Sequence, residues 1–306
     1  MTSGGDSREI AVVIPTYDRA DLVGRSIESV LGQERPPDEI LVVDDGSRDD
    51  TAAVVGRYGP AVTYLKKPHG GVAAARNFGV ARTDAGFVAF LDSDDYWHED
   101  HLRRVEAAIE QTRGEAWLYF SDLYLPRADG TTRSNWQMCE FDVSAGWQFR
   151  QDGADWVLCS RQPMMTPATV VRRDAYIAVG GQAENLVCRE DTHLFFKLAL
   201  GGPVAAVAGV AGTATADDPG RLSERYKGRD PTYWQCTRWL YRDLLGRFAN
   251  LSSEQRFVLR RRLADAHWVL CRMSLQRRRP EAFAHVARAA RWDRRGAAER
   301  LRAWWA

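Results

Sequence analysis

Phe87-Val-Ala-Phe-Leu91-Asp92-Ser93-Asp94-Asp95 is the stretch on which the fold turns. Five apolar residues run without interruption into a cluster of acids. An apolar run of this length, with no polar alternation, reads as a strand buried on both faces, the pattern of a parallel sheet. The same pattern lies upstream in Ile10–Ile14 (closed by Pro15) and Ile40–Val43, and a further strand is expected over Val62–Leu65. Between these runs the apolar residues shift to helical spacing, with Leu22, Ile27, Val30 and Leu31 in Asp21–Leu31 as the clearest case. Further helices are predicted over Thr51–Tyr58, Val72–Ala81 and Glu99–Gln111, and another strand over Trp117–Phe120. Alternating strands and helices predict an α/β fold, a mostly parallel, Rossmann-like sheet between helices. Ligands of such sheets bind beyond the carboxyl ends of the strands, which points to Pro15-Thr16-Tyr17, Asp44-Asp45-Gly46-Ser47 and Asp92-Ser93-Asp94-Asp95.

The chemistry of the acidic turns follows from their composition. Three carboxylates within four residues repel one another unless a cation lies between them, and hard oxygen ligands suit Mg²⁺ or Mn²⁺ with phosphates completing the shell. The spacing is not that of a calcium-binding loop, which needs acids at alternate positions and a distant Glu. Asp44 and Asp45 can accept from a base N–H or a ribose hydroxyl; equally they can form a polar turn, with Asp50 capping the next helix. Gly70-Gly71 opens a helix whose free N–H groups favour an anion, and Arg76 lies one turn in, within reach of a nucleotide or of a surface ion pair. Neither GxGxxG nor a P-loop is present, so the dehydrogenase and NTPase readings lose their main support. Glu190-Asp191 starts a further helix, where acids complement the helix dipole or face the acidic turn.

Between Leu123 and Gln162 the periodicity dissolves into turn, loop or edge strand, with Ala128-Asp129-Gly130 as a hairpin tip. Order returns with the apolar run Ala168–Val171, a short helix from Asp174 and a helix over Glu190–Leu200. Beyond Pro231 the chain reads as Arg-, Leu- and Trp-rich helices broken near Asn250 and at Pro280.

Charge divides the chain. Residues 1–220 carry 21 basic and 33 acidic side chains, and residues 221–306 carry 21 and 8, so the net charges are −12 and +13. Two regions are therefore expected, an acidic domain over 1–220 and a basic, Trp-rich helical region over 221–306, with the boundary near Asp217–Arg229. The second region suits packing against the acidic part or a homodimer contact, which is preferred, or peripheral contact with an anionic membrane. Five widely spaced cysteines without a CxxC pair support neither a disulfide framework nor a zinc knuckle. Met1–Glu9 has no apolar core, and Pro203–Ala216 is too small-residue-rich and broken to cross a bilayer. A cytoplasmic protein, or one resting on the inner face of the membrane, is expected.

Taken in order, Val-Val-Ile-Pro-Thr-Tyr, Ile-Leu-Val-Val-Asp-Asp-Gly-Ser, Gly-Gly-Val-Ala-Ala-Ala-Arg-Asn, Phe-Leu-Asp-Ser-Asp-Asp-Tyr-Trp, Thr-Val-Val-Arg-Arg-Asp-Ala-Tyr with Val-Gly-Gly, and Arg-Glu-Asp-Thr-His-Leu-Phe closely resemble the family 2 inverting glycosyltransferases of the GT-A fold. The resemblance covers residues 10–200, and none is found for residues 221–306. It implies a metal-dependent transfer of sugar from a nucleoside-diphosphate sugar, UDP-linked first, to a hydroxyl of a glycan or small natural product, with no nucleic-acid partner. It implies that Pro15, Thr16 and Tyr17 surround the base, that Asp45 reads it beside Asp44, and that Arg76 and Ser93 belong to the donor site. Asp92 is implied toward the ribose, Asp94 and Asp95 toward the metal and diphosphate, and Asp191 as general base. The chain departs from the family pattern where His98 replaces the usual proline, and where Thr213–Pro219 lacks a His found in many relatives; an Asp in that stretch is a possible substitute. The rivals are a nucleotidyltransferase, which wants a Gly-rich, Arg-bearing loop after the first strand, and a non-catalytic sugar-nucleotide or glycan-binding module.

Overall fold

The computed structural model describes residues 8–127, 130–144, 146–215, 226, 228, 230–277, 281–293, 296, 298 and 299. They form two compact units. The first takes the described residues of 8–185 and 190–215, and the second takes 186–189 and those from 226 onward.

The first unit is α/β. In chain order it contains β1 (Ile10–Thr16), α1 (Val23–Leu31), β2 (Glu39–Asp44), α2 (Thr51–Gly56), β3 (Thr63–Lys66), α3 (Val72–Val80), β4 (Phe87–Phe90), β5 (Tyr96–Trp97) and α4 (His101–Gln111). There follow β6 (Leu118–Pro126), β7 (Thr132–Ser134), α5 (Asn135–Cys139), β8 (Trp147–Arg150), α6 (Ala154–Leu158), β9 (Thr169–Arg172), α7 (Arg173–Ala178), α8 (Glu190–Gly201) and β10 (Val204–Thr213). The strands make one sheet in the order β3-β2-β1-β4-β9-β6-β10-β5, with β7 on β6 and β8 on β10. β3, β2, β1, β4, β6 and β10 all run one way. β9 runs the other way between β4 and β6, so the expected mostly parallel sheet carries an antiparallel insertion at its centre.

Every residue of β1 is buried, as its unbroken apolar run requires. α3 lies flat on this part of the sheet because its inner face is small: a Cβ at Gly79 would sit 2.6 Å from Val13 Cγ1. The stretch 123–162, without periodicity in sequence, in fact extends β6 to Pro126 and adds β7, α5, β8 and α6. These elements are too short to show a helical or strand repeat, and a ring cluster of Phe120, Trp136, Phe141 and Trp156 organises them. The hairpin-tip residues Ala128 and Asp129 lie outside the described residues. Pro203–Ala216 supplies β10, and no described helix is long and apolar enough to cross a membrane.

In the second unit α9 (Pro231–Arg247) starts at Asp230, whose side chain accepts from Thr232 N at 2.6 Å. α10 (Ser253–Gln276) starts with a reciprocal capping box between Ser252 and Gln255. Leu263, Trp268 and Leu270 are buried on α10, which packs on α9 and on α11 (Glu281–Trp292). Arg278, Arg279, Trp304 and Trp305 of the basic, Trp-rich pattern lie outside the described residues. Between α10 and α11, His267 Nδ1 lies 3.1 Å from His285 Nδ1, so one ring must donate and the other accept. Burial, with the partner ring and Arg238 and Arg288, holds His267 down at about 4; burial also lowers His285. Burial pushes His101 down to about 3, and both its ring nitrogens lack a hydrogen-bond partner. The unfolded chain therefore binds more protons than the folded one below the ordinary value of 6.5. The resulting stability is present above that pH and is lost as the pH falls toward 4. The urea midpoint should drop over this interval, and drop less in His101→Leu; equal losses would refute a neutral buried His101.

Candidate active site

The acidic turn begins where β4 ends. Ligand oxygens of Asp92, Asp94 and Asp95 lie within 4.8 Å of one another, and the Asp95 side chain is buried. Three elements hold the turn. From α1, Ser26 Oγ donates to Asp95 O at 2.6 Å and Arg25 Nη2 to Asp94 O at 2.7 Å. From the end of β10, Thr215 N donates to Asp95 Oδ1 at 2.9 Å, and Thr215 Oγ1 bonds Asp94 O. The third is β5, the two residues after the turn, which pair antiparallel with β10. This pairing requires glycine at 212, since a Cβ there would stand 2.1 Å from Tyr96 O. His98, in place of the usual proline, puts Nε2 3.2 Å from Thr213 Oγ1. Asp217 and Asp218, considered above as substitutes for the absent His, lie outside the described residues.

Arg76 is not a surface residue. It is 3% exposed, and its guanidinium joins the acidic turn to the start of α8: Nη2 to Asp92 Oδ1 at 2.6 Å, and Nη1 to Glu190 Oε1 at 3.3 Å. Nη1 also donates to Gln182 Oε1 at 3.2 Å. Asn77, the next residue on α3, fixes the Gln182 backbone from both sides: its Nδ2 donates to Gln182 O and its Oδ1 accepts from Gln182 N, each at 2.9 Å. The buried Lys197 Nζ on α8 donates to Val179 O and Gly181 O and closes the same loop. Burial opposes the charge on Arg76, but Asp92 and Glu190 outweigh it and keep the guanidinium ionised. Glu190 is also buried. Burial, then the neighbouring Asp191 charge, raises its carboxyl above the ordinary range against the pull of Arg76. Asp191 is half-buried, accepts from its own following N–H at 2.5 Å, and lies near enough to contribute to the field on Arg76.

The β2 turn divides its two acids. Asp44 is fully buried and accepts from Ser47 N at 2.6 Å and from the Tyr64 hydroxyl. Burial pushes its carboxyl up, but Tyr64, Ser47 and Lys66 together hold it below the ordinary value. Asp45 accepts from Gly71 N at 2.7 Å, Gly70 N at 2.9 Å and Lys67 Nζ at 2.6 Å, with His69 Nδ1 2.9 Å away. The anion that the Gly70-Gly71 N–H groups receive is thus Asp45 itself. Asp49, not Asp50, bonds the start of α2, through Thr51 N at 3.0 Å. Thr16 is buried at the end of β1 beside Pro15, and its carbonyl accepts from Asp45 N at 2.9 Å. The half-exposed Tyr17 ring lies 4.4 Å from that of His69. Ser93 is buried within the acidic turn.

Pro15, Thr16, Tyr17 and Asp45 therefore form one cluster, and Arg76, Asp92, Asp94, Asp95 and the Glu190-Asp191 pair a second, at the carboxyl ends of β1, β2 and β4. Sequence reasoning missed Arg25, Ser26, Gln182 and Thr215. Each contributes through long-range contacts that no local spacing announces.

The glycosyl transferase family 2 model matches residues 11–174. The chain is 34% identical over 128 residues to the putative teichuronic acid biosynthesis glycosyltransferase TuaG of Bacillus subtilis, covering 40% of this chain and 49% of that one. It is 35% identical over 122 residues to the succinoglycan biosynthesis protein ExoW of Rhizobium meliloti, covering 38% of each. The match thus spans about half or less of these relatives. Among solved structures, S. aureus TarS 1-349 in complex with UDP-GlcNAc superposes with a TM-score of 0.71 at 18% identity, over 93% of this chain and 80% of that one. The mannosyltransferase PcManGT from Pyrobaculum calidifontis, in complex with GDP-Man and Mn²⁺, gives 0.60 at 18% identity, over 96% and 79%. These two establish likeness of fold. Because the family model spans more than half of the chain, the protein belongs to glycosyl transferase family 2.

Proposed function

We propose that this glycosyltransferase moves a sugar from a nucleoside-diphosphate sugar, UDP-linked by preference, to a hydroxyl of a glycan or natural product, with inversion and with Mn²⁺ or Mg²⁺ in the acidic turn. The observation that carries the reading is the convergence of Asp92, Asp94 and Asp95 within 4.8 Å, tied through Arg76 to the helix start bearing Asp191. All three candidate ligands are hard oxygen donors, as either ion requires, although Asp95 Oδ1 also accepts from Thr215 N. The residues that would hold the ion are Asp94 and Asp95; bound there, it would neutralise the diphosphate leaving group as a Lewis acid.

The remaining roles fall to the chain itself. Tyr17 offers a ring for the base, and Asp45, beside it, suits an imide N–H once one of its present donors yields. Asp92 and Ser93 lie toward the ribose. Asp191 takes the acceptor proton as the hydroxyl attacks in line, opposite the diphosphate, so a single catalytic carboxylate suffices. The relatives named for teichuronic acid and succinoglycan biosynthesis favour a cell-envelope or secreted polysaccharide as acceptor, and hence work at the cytoplasmic face of the membrane. UDP-GlcNAc in one structural neighbour favours a UDP donor.

A panel of nucleotide sugars with an acceptor glycan, followed by nucleoside diphosphate release with Mn²⁺ or with EDTA, tests the reading. UDP- or dTDP-sugars should be consumed fastest, and EDTA should abolish release. Faster use of a purine nucleotide sugar would overturn the role of Asp45. Tight nucleotide binding without release from any donor would favour a non-catalytic module.

A further inference from the structure

The Val179-Gly180-Gly181 motif leads into Gln182, a residue to which the proposed transfer gives no part. Both glycines hold left-handed φ values, 77° and 57°. Gly181 must also be small, since a Cβ there would lie 2.6 Å from Asn77 Oδ1. The turn so brings the Gln182 backbone against α3, where Asn77 bonds it on both sides. Tyr176 Oη on α7 donates to the same Asn77 Oδ1 at 2.6 Å, which fixes the Asn77 amide in turn. From this anchored backbone the Gln182 side chain reaches Arg76, and its Oε1 accepts from Nη1 at 3.2 Å. A guanidinium only donates, so the amide oxygen must face it. Gln182 is 2% exposed, and its Nε2 has no hydrogen-bond partner among the described residues. A buried amide donor left unmatched costs stability, which an apolar side chain of similar length would not. Packing therefore does not account for a glutamine here, whereas the bond to Arg76 does. Nη1 also reaches Glu190 Oε1 at 3.3 Å, and Nη2 reaches Asp92 Oδ1 at 2.6 Å. Of these three acceptors Gln182 alone is uncharged. It directs Nη1 without drawing on the positive charge that Asp92 and Glu190 share.

We propose that Gln182 is a positioning residue for transfer: it holds the Arg76 guanidinium between the acidic turn and the start of α8. It thereby fixes the acids proposed to hold the ion relative to Asp191. Without Gln182 the guanidinium is drawn to Asp92, its shorter contact, and the start of α8 loses its tie to the turn. This inference rests on the reading that transfer uses Asp191 and the acidic turn.

Gln182→Met in the full chain tests it. In steady-state transfer with Mn²⁺, kcat should fall roughly tenfold and the donor KM stay within about twofold, since a misplacement of about 1 Å costs up to about 10²-fold. The urea midpoint should match or exceed that of the parent, because the unmatched amide is gone. Arg76→Lys keeps the charge but not the fork, so in that background Gln182→Met should change kcat by less than about twofold. Hydrogen exchange reads the same bridge without turnover. Amides of residues 92–95 and 190–193 should exchange faster in Gln182→Met, and those of β1 and β2 as in the parent. A parental kcat in Gln182→Met, an undiminished loss in the Arg76→Lys background, or a kcat loss accompanied by a fall in the urea midpoint would each overturn the proposal. A parent that transfers sugar from no donor would sink the proposed reaction instead. Unchanged exchange at both segments would overturn the role of Gln182 in either case.

Discussion

Asp191→Asn should lower sugar transfer by about two to four orders of magnitude, the usual contribution of a general base, with donor affinity nearly unchanged. The substitution keeps the shape of the side chain, and the amide oxygen can still accept from Thr192 N as the carboxylate does. Only the capacity to take a proton is removed. Nucleoside diphosphate release under saturating donor and acceptor measures the loss, and calorimetry with UDP measures the binding. A variant that transferred within a few-fold of the parent would return Asp191 to a helix-dipole role and move attention to Glu190. The buried neighbour is the poorer candidate on structural grounds, because its carboxylate already bonds Arg76.

Arg76→Met should destabilise the first unit by about 3–5 kcal/mol, the loss typical when one partner of a buried ion pair is removed. Met fills much of the side-chain volume, so the loss arises from charge. Asp92 and Glu190 each lose a cationic partner, at 2.6 and 3.3 Å, and Asp191 loses a nearby positive charge. The sign of the pH dependence follows. Without Arg76 the Glu190 carboxyl rises further, so the folded variant binds a proton that the unfolded chain releases near its ordinary value of 4.5. The gap between variant and parent should narrow as the pH falls from 8 toward 5, measured by urea unfolding. Arg76→Met combined with Glu190→Leu should recover part of the loss, because it removes a carboxylate left without its partner. If the single variant matched the parent in stability at pH 8, Arg76 would not be the tie between the acidic turn and α8.

Much of the fold was legible in the chain because its signals are local. The unbroken runs at Ile10–Ile14, Ile40–Val43 and Phe87–Leu91 admit few structures other than buried strands, and β1, β2 and β4 follow them to within two residues at either end. The acids beyond those runs had to lie at the carboxyl edge, since the chain reverses there. By itself, then, the sequence determined the strand–helix alternation, the edge on which the acids gather, and the residue types able to hold a cation. What it left open depends on contacts between distant residues. β9 enters the sheet antiparallel through backbone pairing, which its apolar side chains do not encode. Arg76 reads equally well as a surface cation; only the approach of α8, 114 residues away, makes it a buried bridge. Asp44 and Asp45 are adjacent and chemically identical, yet Tyr64 claims one and the Gly70-Gly71 amides the other. Local spacing fixes which residues can act, whereas burial and partner geometry, properties of the folded chain alone, decide which charges meet.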